Sequence, residues 1–148
     1  MQAENYDKGG EGVAYHDTTP GNNNGGVYRA DDVDIRVTTD VDGAYNLKAV
    51  RATEWLAYSV SIASSGAFNV NLRIASAGAG GSAHIEIDGT NVTGSIALPD
   101  TGGWNTWQTV TKTGVQLPAG LHTLKLVIDS NGPAGTAADV NWINVSVG

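Results

Sequence analysis

Two tryptophans stand three positions apart in the glycine- and threonine-rich stretch TGGWNTWQTV, residues 101–110. On a continuous β-strand, residues an odd number of positions apart point to opposite faces, so Trp104 and Trp107 are expected to diverge. One of them can fill a core while the other faces solvent. An exposed tryptophan is a folding liability unless it binds something, and this stretch is therefore the first candidate for function.

Paired carboxylates, which glycosidases require, are the second candidate. The carboxylates available are Glu11, Asp31, Asp32, Asp34, Glu54 and Glu86. Solvated turn and strand positions, or a metal site, account for them without catalysis. The sequence contains no Gly-x-Ser-x-Gly or His-Glu-x-x-His motif. We therefore predict that the chain is not an enzyme, with a small β-sandwich glycoside hydrolase as the alternative.

The elements that must position these residues are strands. Apolar and polar residues alternate with a period of two in VDIRV, LAYSVSI, FNVNLRI, HIEIDG and LKLVI. No segment shows a sustained helical period, and turn signals such as Asp88-Gly89 separate the strands. The alternation predicts an all-β sandwich or barrel in which each strand buries one face. Residues 7–26, 75–83 and 129–139 are predicted loops, the last two flexible by composition.

Composition narrows the class of protein further. The chain has 148 residues, a net charge of −7 and a pI near 4.6, which disfavours binding to nucleic acid or to an anionic membrane. Cysteine is absent, and no apolar run is as long as a membrane span. Only 16% of the residues are charged, which suits a secreted protein. No signal peptide is visible, and we expect this segment to come from a longer secreted chain.

Five stretches, in order, resemble family 6 of the carbohydrate-binding modules. They are QAENYDKGGEGVAYHDTTPGNNNGGVYRADDVDI, YNLKAVRATEWLAYSV, TGGWNTWQTV, LPAGLHTLKLVID and ADVNWINV. The resemblance spans the whole chain and implies a single module over residues 1–148 with a jelly-roll β-sandwich fold. It also implies a non-catalytic module of a secreted polysaccharide hydrolase that binds xylan, a β-glucan or agarose.

The resemblance places a sugar site in the loops at one end of the sandwich. By motif, its aromatic pair is Tyr45 and Trp104, Asp139 stands where many members have an asparagine, and Asn46 is a weaker candidate. Flat aromatic rings suit the apolar C–H face of a pyranose, while amides and carboxylates suit its hydroxyl rim. Trp55, Trp107 and Trp142 are assigned to the core. A second cleft on the concave sheet face, with Glu11 and Glu86, is not expected to work because residues 48–51 contain no aromatic.

The resemblance also implies a structural calcium ion. Its ligands would be Gln2, Glu4, a backbone oxygen near Arg29, and Asn141, where many members have aspartate. Calcium takes six to eight oxygen ligands from carboxylates, amides and carbonyls. Such an ion would join the N-terminal segment to the last strand. We expect a monomer covalently attached to a catalytic domain, and the remaining alternative is a structural or adhesive sandwich domain without a sugar site.

Overall fold

The computed structural model describes residues 1–22 and 25–148, and this part of the chain is built from strands. A single 3-10 turn spans Ala3–Asn5. The strands are β1 (Tyr15–His16), β2 (Ile35–Val37), β3 (Tyr45–Val50), β4 (Trp55–Ile62), β5 (Gly66–Ser76), β6 (Ser82–Ile87), β7 (Thr90–Asn91), β8 (Ile96–Ala97), β9 (Gly103–Leu117), β10 (Gly120–Ser130) and β11 (Ala138–Val147). The all-β prediction is confirmed. No described helix is long and apolar enough to span a membrane.

The strands form two antiparallel sheets packed face to face. One sheet has the order β1-β4-β10-β6-β7, with β8 also pairing with β6, and the other has the order β2-β3-β11-β5-β9. Neighbouring strands come from distant parts of the chain, as in β11, which lies between β3 and β5. The result is the jelly-roll β-sandwich that the resemblance implied.

The core lies between the sheets and is mainly aliphatic, with three buried tyrosines, Tyr6, Tyr15 and Tyr58. On β5, Val70, Leu72 and Ile74 face inward and are buried, while Asn71 and Arg73 between them face outward. The same alternation on the facing strands buries leucine and isoleucine side chains against them. The period of two in the sequence therefore corresponds to one buried and one outer face per strand.

The tryptophans lie outside this core, and the prediction that Trp55, Trp107 and Trp142 belong to it is wrong. All three are half-buried, and none is a member of the core cluster. Strand parity gives the reason for Trp55 and Trp142, because the next residue along each strand, Leu56 or Ile143, is the one that is buried. Trp107 lies beside Arg36, whose guanidinium carbon is 5.9 Å from the ring centroid.

Two of the predicted loops, residues 75–83 and 129–139, connect strands and pack tightly against each other. A Cβ on Gly81 would overlap the carbonyl of Ser130, and one on Gly132 would overlap the carbonyl of Ala79. Glycine allows this backbone contact because it has no side chain. The predicted flexible connections are therefore one packed unit. The third predicted loop, 7–26, contains the short β1, and its residues 23 and 24 lie outside the described part.

Candidate functional site

An open pocket of about 320 Å³ lies at one end of the sheet that contains β2, β3, β11, β5 and β9. The lining residues are Arg36, Lys48, Ala49, Trp104, Asn105, Ala134, Thr136 and Asp139. They come from β2, β3, β9, β11 and the packed loop before β11. Trp104 and Asp139, both predicted to bind sugar, are thus brought together in one concave site.

A break in strand pairing places Trp104 in this pocket. On β5, Ala75 pairs with Trp107 of β9. The next residue, Ser76, pairs with Gly103, so the register skips the three residues between them. Residues 104–106 therefore bulge out of the ladder, which is a common way for a sheet to re-aim a side chain. Gly102, with φ of 94°, makes the preceding turn in a conformation that favours glycine. The double glycine of the motif thus precedes a bulge that carries a half-buried indole.

Arg36 holds the bulge against β11. Its Nη2 donates to the carbonyl oxygen of Trp104 at 2.6 Å, and its Nη1 donates to Oδ1 of Asn105 at 3.1 Å. The same Nη2 lies 3.1 Å from Oδ2 of Asp139. One guanidinium therefore connects the backbone of the tryptophan to the carboxylate across the pocket.

Asp139 is a buried carboxylate, only 1% exposed. Its Oδ1 accepts a hydrogen bond of 2.8 Å from the backbone N–H of Ala49. Burial raises the pKa of the Asp139 carboxyl above its ordinary value, while the bond from Ala49 and the charges of Arg36 and Lys48 oppose part of the shift. Its Oδ2 is within ion-pair distance of Arg36 without the alignment of a hydrogen bond. This oxygen is therefore buried beside the guanidinium without a hydrogen-bond partner in the described protein.

Three buried polar atoms on the lining residues lack a hydrogen-bond partner within the described protein. They are Nε of Arg36, Oγ1 of Thr136 and Oδ2 of Asp139. Buried polar groups in native proteins are nearly always hydrogen-bonded, so unpaired atoms gathered around one pocket point to a polar ligand. Sequence reasoning missed Arg36, Lys48 and Thr136. The only available signal was the position of Arg36 on the polar side of the alternating VDIRV stretch.

The structure does not bring Tyr45 and Asn46 into this pocket. Leu47 faces the core. Tyr45, two residues earlier on β3, points to the same side of the sheet, and its partly buried side chain packs against the core. Its ring stacks on that of Tyr28, with centroids 4.8 Å apart and planes 27° apart. Asn46 is fully buried and donates to the carbonyl of Leu47 at 2.8 Å. The expected aromatic pair of Tyr45 and Trp104 is therefore corrected to a single indole.

The four residues expected at the calcium site form a second group. Three of the buried oxygens that lack a hydrogen-bond partner among the described residues belong to this group: Oε1 of Gln2, Oε2 of Glu4 and Oδ1 of Asn141. Gln2 bridges by backbone to Trp142, next to Asn141. Nη1 of Arg29 donates to the carbonyl of Glu4 at 3.3 Å, and burial raises the pKa of the Glu4 carboxyl. Buried oxygens without donors suit a hard cation such as calcium.

The orientation of the Asn141 amide is fixed by its other contacts. Its Nδ2 donates to Oδ2 of Asp40 at 2.9 Å and to the carbonyl of Asp42 at 2.8 Å, which leaves Oδ1 as the free atom. Within the described residues, no three His, Cys, Asp or Glu side chains gather around a common point. The donor set at this site is accordingly two side-chain amides and one carboxylate, with a backbone carbonyl near Arg29 as the further expected ligand.

The residues considered for a second cleft lie on the outer face of the other sheet. Glu11 contacts His16, and Glu86 contacts Nε2 of His84 at 2.8 Å. The ring of Trp55 on the same face is covered by the Lys125 ammonium, 3.9 Å from its centroid. Glu11, Glu86 and the ring of Trp55 are thus each in contact with a neighbouring side chain of the same face.

The fold and the pocket together define a β-sandwich binding domain. The chain belongs to family 6 of the carbohydrate-binding modules, because the family model matches residues 27–147. The match includes every residue that lines the pocket. It begins after Gln2 and Glu4, so the N-terminal part of the calcium site lies outside it.

Relatives with known structures share the whole fold. A carbohydrate-binding module of Cellvibrio mixtus lichenase 5A, solved with cellotriose, is 31% identical, with a TM-score of 0.75 over 100% of this chain and 95% of that one. A β-1,3-glucan-binding family 6 module from Bacillus halodurans is 26% identical, with a TM-score of 0.74 over 99% of this chain and 94% of that one. The clotting factor G alpha subunit of Tachypleus tridentatus is 31% identical over 116 residues, which are 77% of this chain and 16% of that protein.

Proposed function

We propose that this chain is a non-catalytic module that binds a β-linked glycan in the pocket around Trp104. One observation supports this above all: an indole stands on a bulge beside three buried polar atoms that lack partners in the described protein. Leaving such atoms unpaired costs free energy, which a ligand rich in hydroxyl groups would recover. A pyranose offers both the apolar face for the indole and hydroxyls for the polar atoms.

We propose a role for each group from its position in the pocket. Trp104 stacks on one face of the sugar, Oδ2 of Asp139 accepts from a hydroxyl, and Nε of Arg36 donates to one. Among the described lining residues Trp104 is the only aromatic, and small side chains, Ala49 and Ala134, form part of the remaining wall. The sugar is therefore stacked on one side only. Together with the desolvation of a hydrated ligand, this predicts modest affinity.

The ligand class that we propose first is a β-glucan, followed by xylan and agarose. Of the two solved relatives, one was solved with cellotriose and the other binds β-1,3-glucan. The pocket is open, so it can admit an oligosaccharide as well as a single sugar.

We further infer that the module is part of a secreted protein and targets an attached glycoside hydrolase to its polysaccharide. Tethering raises the local concentration of substrate around the catalytic domain without any new catalytic contact. The chain corresponds to only 16% of the clotting factor relative and 8% of an isomaltosyltransferase from Sporosarcina globispora. A module of this size within much longer proteins fits a targeting role.

We also propose a structural calcium ion held by Gln2, Glu4, Asn141 and a backbone oxygen near Arg29. The three side-chain oxygens are buried and unpaired, which supports the proposal. When bound, the ion would add positive charge beside the buried Glu4 carboxylate. Its role would be stability, because none of these residues lines the pocket.

Affinity electrophoresis of the whole chain through laminarin, mixed-linkage glucan, xylan, cellulose derivatives and agarose tests the binding proposal. Trp104→Ala should abolish retardation by the polysaccharide that retards the native protein, because it removes the stacking surface. The matched control is Trp55→Ala, which removes an indole of similar burial from the opposite sheet. It should leave retardation unchanged.

Three results would count against the proposal. If none of the polysaccharides retards the native chain, the proposed binding function is contradicted. If only Trp55→Ala loses binding, the glycan site lies on the other sheet. Release of reducing ends from any of these polymers, abolished by an Asp or Glu substitution, would show the hydrolase instead. Thermal unfolding of each variant separates lost binding from lost folding.

A further inference from the structure

We propose that the pocket around Trp104 selects glycans that carry an anionic substituent, and that the Lys48 ammonium recognises that substituent. The inference rests on the proposed function and specifies the substrate class of the same site. It predicts a preference for acidic sugars in a protein whose own net charge is −7. A uronate carboxylate and a sulfate ester are the two sources of such a charge.

The charges that line the pocket do not cancel. Two cations, Arg36 and Lys48, face a single carboxylate, Asp139, among the eight described lining residues. The chain as a whole has the opposite balance, with 15 acidic and 8 basic residues. A concave surface with low-dielectric walls concentrates the field of its charges, so a local excess of one sign attracts the opposite ion.

Arg36 is not the free charge. Its guanidinium lies 3.1 Å from Asp139, and its Nη atoms donate to Trp104 and Asn105. These contacts neutralise it and fix it in place. The Asp139 carboxylate is in turn held by the backbone N–H of Ala49.

Lys48 remains as the uncompensated cation. Within the described residues its ammonium makes no ion pair of 4.0 Å or less and no side-chain hydrogen bond. It is half-buried and sits next to Ala49, the residue whose N–H holds Asp139. A lysine in a concave pocket offers up to three N–H donors and one full positive charge. A neutral sugar uses only the donors, whereas an anionic sugar uses the charge as well.

The unpaired Oγ1 of Thr136 on the same pocket adds a further polar contact for such a group. Threonine hydroxyls donate to carboxylate and sulfate oxygens as readily as to sugar hydroxyls. The proposed arrangement stacks the ring of the acidic sugar on Trp104 and directs its anionic group toward Lys48 and Thr136.

Calorimetric titration of the whole chain with three oligosaccharides of one backbone tests this: unsubstituted, uronate-substituted and sulfated. We expect at least tenfold tighter binding of one or both anionic forms at low salt, and a preference that shrinks as salt screens the charge. Lys48→Met should reduce the preference to near unity, because the anionic forms lose the charge interaction and weaken at least tenfold more than the neutral form, which loses only hydrogen bonds. Lys48→Arg should retain the preference. The matched control is Lys112→Met, which removes the same charge from a half-buried position on β9 away from the pocket.

The possible outcomes distinguish a failure of this inference from a failure of the proposed glycan-binding function. Equal binding of neutral and anionic forms, or equal weakening of both by Lys48→Met, would overturn the inference while leaving a glycan-binding module that depends on Trp104. Binding of none of the three by the native chain would overturn both. A preference confined to one anionic form supports the inference and identifies the source of the charge.

Discussion

At the scale of single residues, Arg36 connects the two sides of the pocket. It donates to the Trp104 carbonyl and faces Asp139, so its loss would free the bulge and leave a buried carboxylate without an ion-pair partner. We expect Arg36→Met to destabilise the fold by about 3 kcal/mol, as measured by urea unfolding, because an unpaired buried charge is costly. Glycan affinity should fall about tenfold in parallel, with a change in the near-ultraviolet circular dichroism of the indole.

The double variant tests whether the charge is the cause. Arg36→Met with Asp139→Asn removes both members of the pair, while the introduced amide keeps an oxygen for the Ala49 N–H. It should cost less stability than Arg36→Met alone. Simple addition of the two single losses would show that the pair is not coupled.

Asp17 makes the stability of the fold depend on pH. Burial, with the charges of Glu54 and Asp34, raises its pKa to about 6 from 3.8. The folded state therefore keeps this proton between pH 3.8 and 6 while the unfolded state has lost it, so the contribution to stability falls as pH rises through that range. Asp17→Asn retains an acceptor for Thr19 and should be more stable than the native chain above pH 6, by about 1 kcal/mol because water partly screens the carboxylate.

The two proteins should converge near pH 4 and separate as pH rises in denaturant titrations. A constant difference at every pH would mean that the carboxylate does not titrate in this range. Glu86→Gln, on β6, controls for the change in net charge.

The sequence predicts some of these residues and not others for a physical reason. Trp104 and Asp139 could be found because each lies in a motif beside a loop. Tyr45 could not be excluded, since its direction depends on the register of β3 against β2 and β11, which motif spacing does not contain. Lys48 and Ala49 line the pocket where the backbone adopts a positive φ of 55° at Ala49. Local composition does not predict this conformation.

At the scale of elements, the packed loops before β6 and β11 set the shape of the pocket. Gly81 lets the first loop touch the backbone at Ser130, and the second loop carries Ala134 and Thr136 to the pocket. Gly81→Ala forces a Cβ into the backbone carbonyl of Ser130. A backbone carbonyl cannot move aside as the end of a flexible side chain can. We expect a loss of about 2 kcal/mol in unfolding free energy and weaker glycan binding.

The matched control is Gly66→Ala at the start of β5, where nothing lies within 4 Å of the added Cβ and φ is ordinary. It should be neutral or slightly stabilising, because alanine reduces the freedom of the unfolded chain. Equal effects of the two substitutions would show that the close contact does not matter.

The elements themselves were the most predictable part of the protein. The alternating stretches around Phe68 and Leu124 became β5 and β10, because period-two burial is a local property of the strand. The same composition suggested flexibility for the glycine-rich loops. Their glycines serve close packing between segments that are far apart in sequence, and that cannot be read locally.

At the scale of the whole molecule, strand order is the feature that periodicity could not provide. β11 inserts between β3 and β5, and β10 between β4 and β6, so both sheets depend on pairings far apart in the chain. Alternation is compatible with a sandwich or a barrel. The resemblance to a known family selected the jelly roll, and the two observed sheets confirm it.

The N-terminal segment closes this assembly onto β11. The amino group of Met1 donates to the Ile143 carbonyl at 2.7 Å, the Ile143 N–H donates back to Met1 at 2.9 Å, and Gln2 bridges to Trp142. The proposed calcium ion would lie where this segment meets the sheet. Because only the folded chain gathers the ligands, binding would stabilise the whole sandwich.

Chelation by EDTA should therefore lower the Tm of the native chain, and added calcium should restore it. At calcium a hundredfold above its Kd the gain is about 2.7 kcal/mol, or roughly 5–10 °C in Tm for a domain of this size. Glu4→Gln should remove most of this calcium-dependent shift, whereas Glu86→Gln, with the same change in charge, should keep it. Asn141→Asp should enlarge it by adding a charged ligand. Glycan affinity should stay constant throughout, since the ligands do not line the pocket. A Tm that is insensitive to both EDTA and calcium would exclude the ion and leave the buried oxygens of Gln2, Glu4 and Asn141 to be satisfied by water.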